Sequence, residues 1–503
     1  MPNAVIKLEN VSWTYERAQK AALDNISLTI MEGECVAVLG ANGSGKTTFC
    51  RLLNGIIPHS LPGKLTGTVT VDGFVTGDST VAQLAEKVGM AFEDPQAQLF
   101  TASLYDEVAF ALENMLLSPI EINERVQWAL NKAGLSAFAD SAPASLSGGQ
   151  KQRLVIAAAF AMAAKVLVLD DPCSQLDPVG AREVLSLVSE LRSRKGLTVI
   201  IAAASPSAVL GAEAAEFADK ACVLKNGALA AYTAPRLVFG NHSLLADTGI
   251  QAPPVAVYAR SASALDKPLP PLSVDAAALI QIKSLGYWYD PGKVILNNIN
   301  LSIADNEFVI IAGQNGSGKT TLLKNISGIL RPSQGTITLR GKDTRTMEIA
   351  EIAGEIGFVM QDPDRQLFEQ TVYDEVAFAL RKKASGIRER VEEVLGTVGL
   401  TDKRDDFPLA LSRADRVKAV FAAVLAMGPK IIMLDEPIAG QDARNCRLLM
   451  EILQKLHQQG CTIIMVTHSI SIAAEYAQRL VVMESGSVVH DGSPGGAFQQ
   501  MVH

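Results

Sequence analysis

Residues 40–48 read GANGSGKTT and residues 313–321 read GQNGSGKTT. Both fit GxxxxGK[ST], a glycine-rich turn whose backbone N–H groups wrap a phosphate at a helix N-terminus. The candidate nucleotide-binding residues are Gly40, Asn42, Gly43, Gly45, Lys46, Thr47 and Thr48 in the first copy. In the second they are Gly313, Asn315, Gly316, Ser317, Gly318, Lys319, Thr320 and Thr321. Lys46 and Lys319 would reach the β- and γ-phosphates of ATP, and Thr47 and Thr320 would hold Mg²⁺. Two later apolar runs, VLVLD and IIMLD, end in Asp170 and Asp435, carboxylates suited to binding Mg²⁺ directly or through water. Glu436 follows Asp435 and is placed to polarise an attacking water. The corresponding Asp171 is shorter by one carbon–carbon bond, about 1.5 Å. A base misplaced by that much can lose on the order of 100-fold in rate. Read alone, acidic residues at strand ends also serve as helix caps.

The elements that must position these groups are written twice. ALDNISLTI is matched by ILNNINLSI, FEDPQAQLF by MQDPDRQLF, YDEVAFAL by YDEVAFAL and VLVLDDP by IIMLDEP, in the same order. Such a repeat implies two copies of one domain, expected over residues 1–248 and 279–503. The Pro/Ala/Ser-rich stretch 249–278 between them reads as an extended linker, or as a loop packed on a domain. Each copy opens with alternating, strand-like text, then an apolar strand, the phosphate turn and a helix. The expected class is α/β with a mostly parallel central sheet, and a more helical lobe over residues 94–160 and 362–425.

Bulk composition narrows the functions. With 45 basic and 53 acidic residues in a chain of 503, the net charge is −8. That speaks against nonspecific nucleic-acid binding, which needs clustered Lys and Arg. Six scattered cysteines without a CxxC pair argue for a reducing compartment, and against a disulfide framework or a zinc site. No signal peptide is expected from MPNAVIKLEN. The longest apolar run falls short of the roughly 20 residues needed to cross a bilayer. Work at a membrane is expected to go through a partner.

Residues 146–150 read LSGGQ, followed by KQR. This resembles the signature of the ABC ATPase family, and motifs in the right order carry the resemblance over nearly the whole chain. It implies two tandem ABC nucleotide-binding domains, each a RecA-like P-loop core with an antiparallel β subdomain and a helical subdomain. In that family two domains pair head to tail. The signature of one, here Ser147, Gly148, Gly149 and Gln150, covers the γ-phosphate held by the other. Tyr15 and Tyr289 resemble the aromatic residue that stacks on adenine, although strand packing would explain them too. Gln361 matches the Q-loop glutamine that senses Mg²⁺ and water, His468 the switch histidine that contacts the γ-phosphate, and Asp177 and Asp442 the D-loop aspartates.

The departures sort by copy. The first has Glu93 for Gln361, Asp171 for Glu436 and Ala204 for His468, with an intact signature. The second keeps Gln361, Glu436 and His468, but its signature reads LSRAD: Arg413 and Ala414 replace glycines, and Asp415 replaces glutamine. A carboxylate about 4 Å from a phosphate charge would cost roughly 4 kcal/mol at an effective dielectric of 20. If like halves paired, every site would be half degraded. If unlike halves pair, Lys319, Gln361, Asp435, Glu436 and His468 meet Ser147–Gln150 in one complete site, and the defects collect in the other. Catalysis is therefore expected from Glu436, His468 and Gln361 at one site.

After the Q-loop position come DPQAQLFTASLYDEVAFALEN and DPDRQLFEQTVYDEVAFAL, and LNGIIPH follows the first phosphate turn. These look like the fused ATPases of energy-coupling-factor (ECF) importers. The resemblance implies a transmembrane scaffold protein and a small membrane substrate-binding protein as partners, at the cytoplasmic face of the membrane. The cargo class stays open among vitamins, their precursors and metal ions. The acidic pairs Asp106/Glu107 and Asp374/Glu375 would either receive arginines of the scaffold or simply begin helices. Two other readings are the fused ATPase of a monosaccharide importer, whose second phosphate loop is typically degenerate, and a soluble ABC protein acting on ribosomes or DNA.

Overall fold

A computed structural model of the chain describes residues 3–16, 18–174, 176, 178–203, 217–250, 278–290, 292–381 and 385–494. The chain divides into two compact units, Met1–Val255 and Ala256–His503. Nearly all of the stretch read as a linker, 251–277, lies outside the described residues, as do Asp177 and Ala204.

In the first unit β1 (Ala4–Tyr15), β2 (Leu23–Met31), β4 (Gly63–Val71) and β5 (Phe74–Val75) form an antiparallel sheet in the order β2-β1-β4-β5. A second sheet runs β10-β9-β3-β8-β7-β6. Its strands are β3 (Cys35–Leu39), β6 (Val88–Ala91), β7 (Val166–Asp170), β8 (Thr198–Ala203), β9 (Lys220–Lys225) and β10 (Ala228–Thr233). All its pairings are parallel except β9 with β10. Strands β3, β7 and β8 are buried throughout, which is why their text is a continuous apolar run rather than an alternation. Successive residues of β3 feed two cores. Val36 and Val38 pack with the antiparallel sheet and with Phe49, Leu52 and Leu53 of the phosphate-loop helix. Cys35, Ala37 and Leu39 pack toward the helical lobe.

The second unit repeats this plan. Strands β11 (Ile280–Trp288), β12 (Val294–Ile303), β14 (Gln334–Leu339) and β15 (Lys342–Asp343) make the antiparallel sheet. The central sheet orders β16 (Ile356–Val359), β17 (Ile431–Asp435), β18 (Thr462–Val466), β13 (Phe308–Gly313), β19 (Arg479–Glu484) and β20 (Ser487–Gly492). The helical lobes expected over 94–160 and 362–425 hold the helices Leu104–Asn114, Pro119–Lys132 and Gly148–Ala161, and Val372–Phe378, Ile387–Val398 and Arg413–Met427. In each unit the parallel strands point their C-terminal ends at the phosphate loop, where open α/β sheets place their ligands.

Candidate functional site

Each phosphate loop leaves a buried strand and enters a helix, Lys46–Leu53 or Lys319–Ile326. A Cβ on Gly40 would lie 2.4 Å from the Leu224 carbonyl oxygen, and one on Gly313 2.2 Å from that of Met483, so only glycine fits there. Gly45 and Gly318 cap the helices at φ 105° and 99°. The lysines are buried and draw the loop around themselves. Lys46 Nζ donates to the carbonyls of Gly40 (2.8 Å) and Ala41 (2.9 Å), and Lys319 Nζ to those of Gly313 and Gln314 (both 2.8 Å). Ser44 Oγ and Ser317 Oγ are buried without a protein partner. Asn42, Gly43, Asn315 and Gly316 form the accessible lip of the turns. Thr48 and Thr321 face inward.

The strand-end carboxylates sit directly beneath. Asp170 Oδ1 accepts from Thr47 Oγ1 at 3.2 Å, and Asp435 accepts from Thr320. Burial pushes both carboxyls up to about 6, against the lowering effect of those threonines. Asp435 is 1% exposed, and its Oδ1 has no protein partner. A threonine hydroxyl, a costly buried carboxylate and an unsatisfied oxygen form a hard-oxygen set that fits Mg²⁺, which takes few protein ligands and the rest from phosphates and water. Thr47 with Asp170, and Thr320 with Asp435, are the groups that would hold it.

Beyond each aspartate the backbone turns left-handed, with φ 47° at Asp171 and 50° at Glu436. Non-glycine residues held this way cluster at functional sites. The turns are pinned by Asp171 N–H to the Ala202 carbonyl (2.9 Å) and by Glu436 N–H to that of Val466 (3.0 Å). Glu436 is 7% exposed. Its Oε2 lies 2.9 Å from His468 Nδ1 and accepts from His468 N–H at 3.3 Å, while Oε1 has no protein partner. The structure thus joins two residues 32 apart that the sequence presented separately. Gln361 lies exposed on the bend after β16. Glu93, after β6, lies near enough to Asp170 for its charge to help raise that carboxyl.

The signatures cap their helices differently. Ser147 Oγ accepts from Gln150 N–H (3.3 Å), and Gln150 Oε1 accepts from Ser147 N–H (2.9 Å), a neutral reciprocal cap. A Cβ on Gly148 would meet nothing within 4 Å, and one on Gly149 only Leu176 at 3.8 Å and Gly180 at 4.0 Å. Nothing inside this unit requires those glycines. In the second unit Ser412 Oγ accepts from Asp415 N–H and donates to Asp415 Oδ2 at 2.8 Å. Lys403 and Lys418 pair with the same carboxylate. Burial raises the Asp415 carboxyl, but these partners outweigh it and hold it below the usual range. Two ammonium groups therefore offset the charge that the sequence presents as uncompensated.

Three further expectations meet structure. Tyr15 Oη is 3.0 Å from Thr48 Oγ1, and its ring stands edge-on to Trp13, whereas Tyr289 is 55% exposed. Asp442 caps the helix Ala443–Gln458, accepting from Asn445 N–H at 2.8 Å. Among the acidic pairs, Glu107 and Glu375 are buried and unavailable to an outside arginine. Glu107 Oε2 accepts from Phe100 N–H, Thr101 N–H and Thr101 Oγ1, and Glu375 Oε2 from Phe368 N–H and Glu369 N–H. Only Asp106 and Asp374 stay exposed, at helix starts.

Sequence reasoning missed what those glutamates hold. Phe100 and Phe110 meet edge to face with centroids 4.9 Å apart, and Phe368 and Phe378 do so at 4.8 Å. All four are exposed, Phe100 by 68% and Phe368 by 59%. The signal was present in the repeat, since QLF and VAF stand in both copies. Among the described residues no helix is long and apolar enough to cross a membrane.

Two such phosphate-gripping α/β units in one chain define a tandem P-loop nucleotide-binding protein. The family model described as "ABC transporter" matches residues 23–174 and 296–439. A relative from Caldanaerobacter subterraneus subsp. tengcongensis is 33% identical over 98% of this chain and 92% of its own length. One from Methanosarcina acetivorans is 36% identical over 97% of this chain and 90% of its own. Both are described as a "Putative ABC transporter ATP-binding protein". A solved structure of cbiO1 from Clostridium perfringens, described as part of the ABC transporter complex cbiONQ, is 35% identical. It covers 44% of this chain and 92% of its own, with a TM-score of 0.41. The chain belongs to the ABC transporter family, as an ATP-binding and ATP-hydrolysing component with two tandem ABC domains.

Proposed function

We propose that this chain is the fused ATPase of an ECF-type importer. It would energise a transmembrane scaffold protein and a small membrane substrate-binding protein from the cytoplasmic face, for a vitamin, vitamin precursor or metal ion. Its two halves pair head to tail, giving one competent and one degenerate composite site. The observation that carries this reading is how the departures sort: Glu93, Asp171 and Ala204 stand in the copy with LSGGQ, and Gln361, Glu436 and His468 in the copy with LSRAD, so pairing of unlike halves collects every defect in one site. The open space at Gly148, and the merely ordinary contacts a Cβ on Gly149 would make, support it, because glycines with no internal reason suit a close approach from outside the unit. The DPxxQLF stretches with YDEVAFAL, in both halves, support the ECF type.

At the competent site Lys319 and the Gly313–Thr321 turn grip the phosphates, and Tyr289 offers an open ring to adenine. Thr320 and Asp435, with Gln361, would hold Mg²⁺, which would neutralise charge on the phosphate oxygens. Glu436 uses its two oxygens separately: Oε2 stays on His468, and Oε1 is left to orient water. Ser147 and the N–H groups of Gly148 and Gly149 supply donors from the opposite half. In the degenerate site Ser412 spends its hydroxyl proton on Asp415, so the matching donor is weakened even where Lys46, Thr47 and Asp170 still bind nucleotide.

Purification of the tagged full chain from detergent-solubilised membranes tests the assignment. Co-purification of a transmembrane scaffold protein and a small membrane substrate-binding protein is expected. Recovery with ribosomal RNA or DNA and no membrane protein would place it in another branch of the family.

A further inference from the structure

Gln366 has no part in the site described so far, yet it touches the backbone that carries Gln361. Its Oε1 accepts from Met360 N–H at 2.7 Å, and its Nε2 donates to the Phe358 carbonyl at 2.9 Å. The side chain thus pairs with the end of β16 as a neighbouring strand would, one residue before Gln361. Gln98 repeats this in the first unit, accepting from Phe92 N–H (3.1 Å) and donating to the Met90 carbonyl (3.0 Å), one residue before Glu93.

The rest of the segment is tied as well. Asp362 Oδ1 accepts from Asp364 N–H at 3.2 Å and caps the short turn Pro363–Arg365. Arg416, on the signature helix, pairs with Asp364. At the far end, buried Glu375 accepts from the N–H groups of Phe368 and Glu369, both at 2.9 Å. Residues 360–369 are therefore fastened along their length by side chains. A connection so fastened transmits displacement instead of absorbing it, since opening it breaks several bonds together.

We infer that Gln366 is a positioning residue for Gln361, and that with Glu375 it makes residues 360–369 a stiff strut between the nucleotide site and the exposed Phe368–Phe378 pair. The inference rests on the reading of Gln361 as a site residue. A glutamine that merely finished strand β16 would serve stability alone, and the two cases differ in what removal does once Gln361 is gone.

The test is steady-state ATPase on the full chain with Gln366→Leu, Gln361→Ala and the double variant. Alone, Gln366→Leu lowers kcat about tenfold or more, the scale of a misplaced group, with KM for ATP within about twofold. In the Gln361→Ala background it produces no further loss, because both changes remove one function. Equal losses in both backgrounds, or no loss in either, overturn the inference. Gln361→Ala turning over at the native rate removes instead the reading beneath it. Gln366→Glu provides a folded alternative. Its protonated carboxyl can both donate to Phe358 and accept from Met360, so its kcat relative to the native protein rises as pH falls from 8 to about 4.5, into the range where a glutamic acid titrates. A flat ratio counts against the strut.

Discussion

Strand β7 ends in Asp170–Asp171 and strand β17 in Asp435–Glu436, at matching places in matching sheets, with the same left-handed turn after each. The frame is duplicated and the chemistry is not. In the second unit the longer carboxylate reaches His468 and keeps one oxygen open. In the first, Glu93 adds a charge beside Asp170, where the other half has a neutral amide. The caps invert the pattern, with neutral Ser147–Gln150 in the first unit and an ion cluster around Asp415 in the second. A fold held by β-sheet pairing and two cores per unit tolerates such drift, since none of these residues carries the core.

The largest break in the comparison should come from the carboxylates. Glu436→Gln is expected to reduce ATP turnover by about 100-fold or more, the span of a lost general base, and Asp171→Asn by less than about threefold. Equal losses in ATPase assays of the two variants would erase the asymmetry. Next come the caps. Converting Gly148→Arg with Gly149→Ala should lower kcat about 10- to 100-fold without shifting the melting temperature, because a Cβ at either position meets nothing in the first unit tighter than ordinary contact. The reverse exchange, Arg413→Gly with Ala414→Gly, should leave kcat within about twofold. A melting transition lowered by the first pair would show that the glycines serve their own unit.

A smaller effect, on stability, separates binding from folding. Burial raises the Asp435 carboxyl to about 6 in the folded chain, from an ordinary value of 3.8. The folded state therefore holds its proton more tightly than the unfolded state. Keeping the charge costs about 3 kcal/mol above pH 6, and that cost fades as pH falls through 6 toward 4. In EDTA at pH 7.5, Asp435→Asn should melt a few degrees higher than the native chain, roughly 2–4 °C per kcal/mol, and should match it near pH 4. A lower melting point at pH 7.5 would mean that the carboxylate is structural. The smallest effect concerns Asp415→Asn. It leaves Lys403 and Lys418 facing each other and should lower thermal stability by about 1 kcal/mol or less, with turnover unchanged.

Much of this was legible in the chain because its signals are local. The phosphate turn, the buried strands and the signature are contiguous, and the repeat allowed each to be read against its twin. What stayed hidden depends on the direction of side chains and on distant neighbours. Glu107 and Glu375 look like surface acids at helix starts, yet they turn inward onto their own loops. Phe100 and Phe368 stand inside the repeated QLF stretches, and nothing in the text of the chain marks them as exposed. Asp415 reads as an uncompensated charge until Lys403, 12 residues upstream, is folded against it. His468 and Glu436 meet only because β17 and β18 are neighbours in the sheet.

The number of ATP molecules that each chain hydrolyses quickly tests the asymmetry most directly. With the full chain loaded with two ATP per chain and started with Mg²⁺, rapid acid quenching should show one converted in a fast phase, while the second persists over many such intervals. Conversion of both at one common rate would contradict the account.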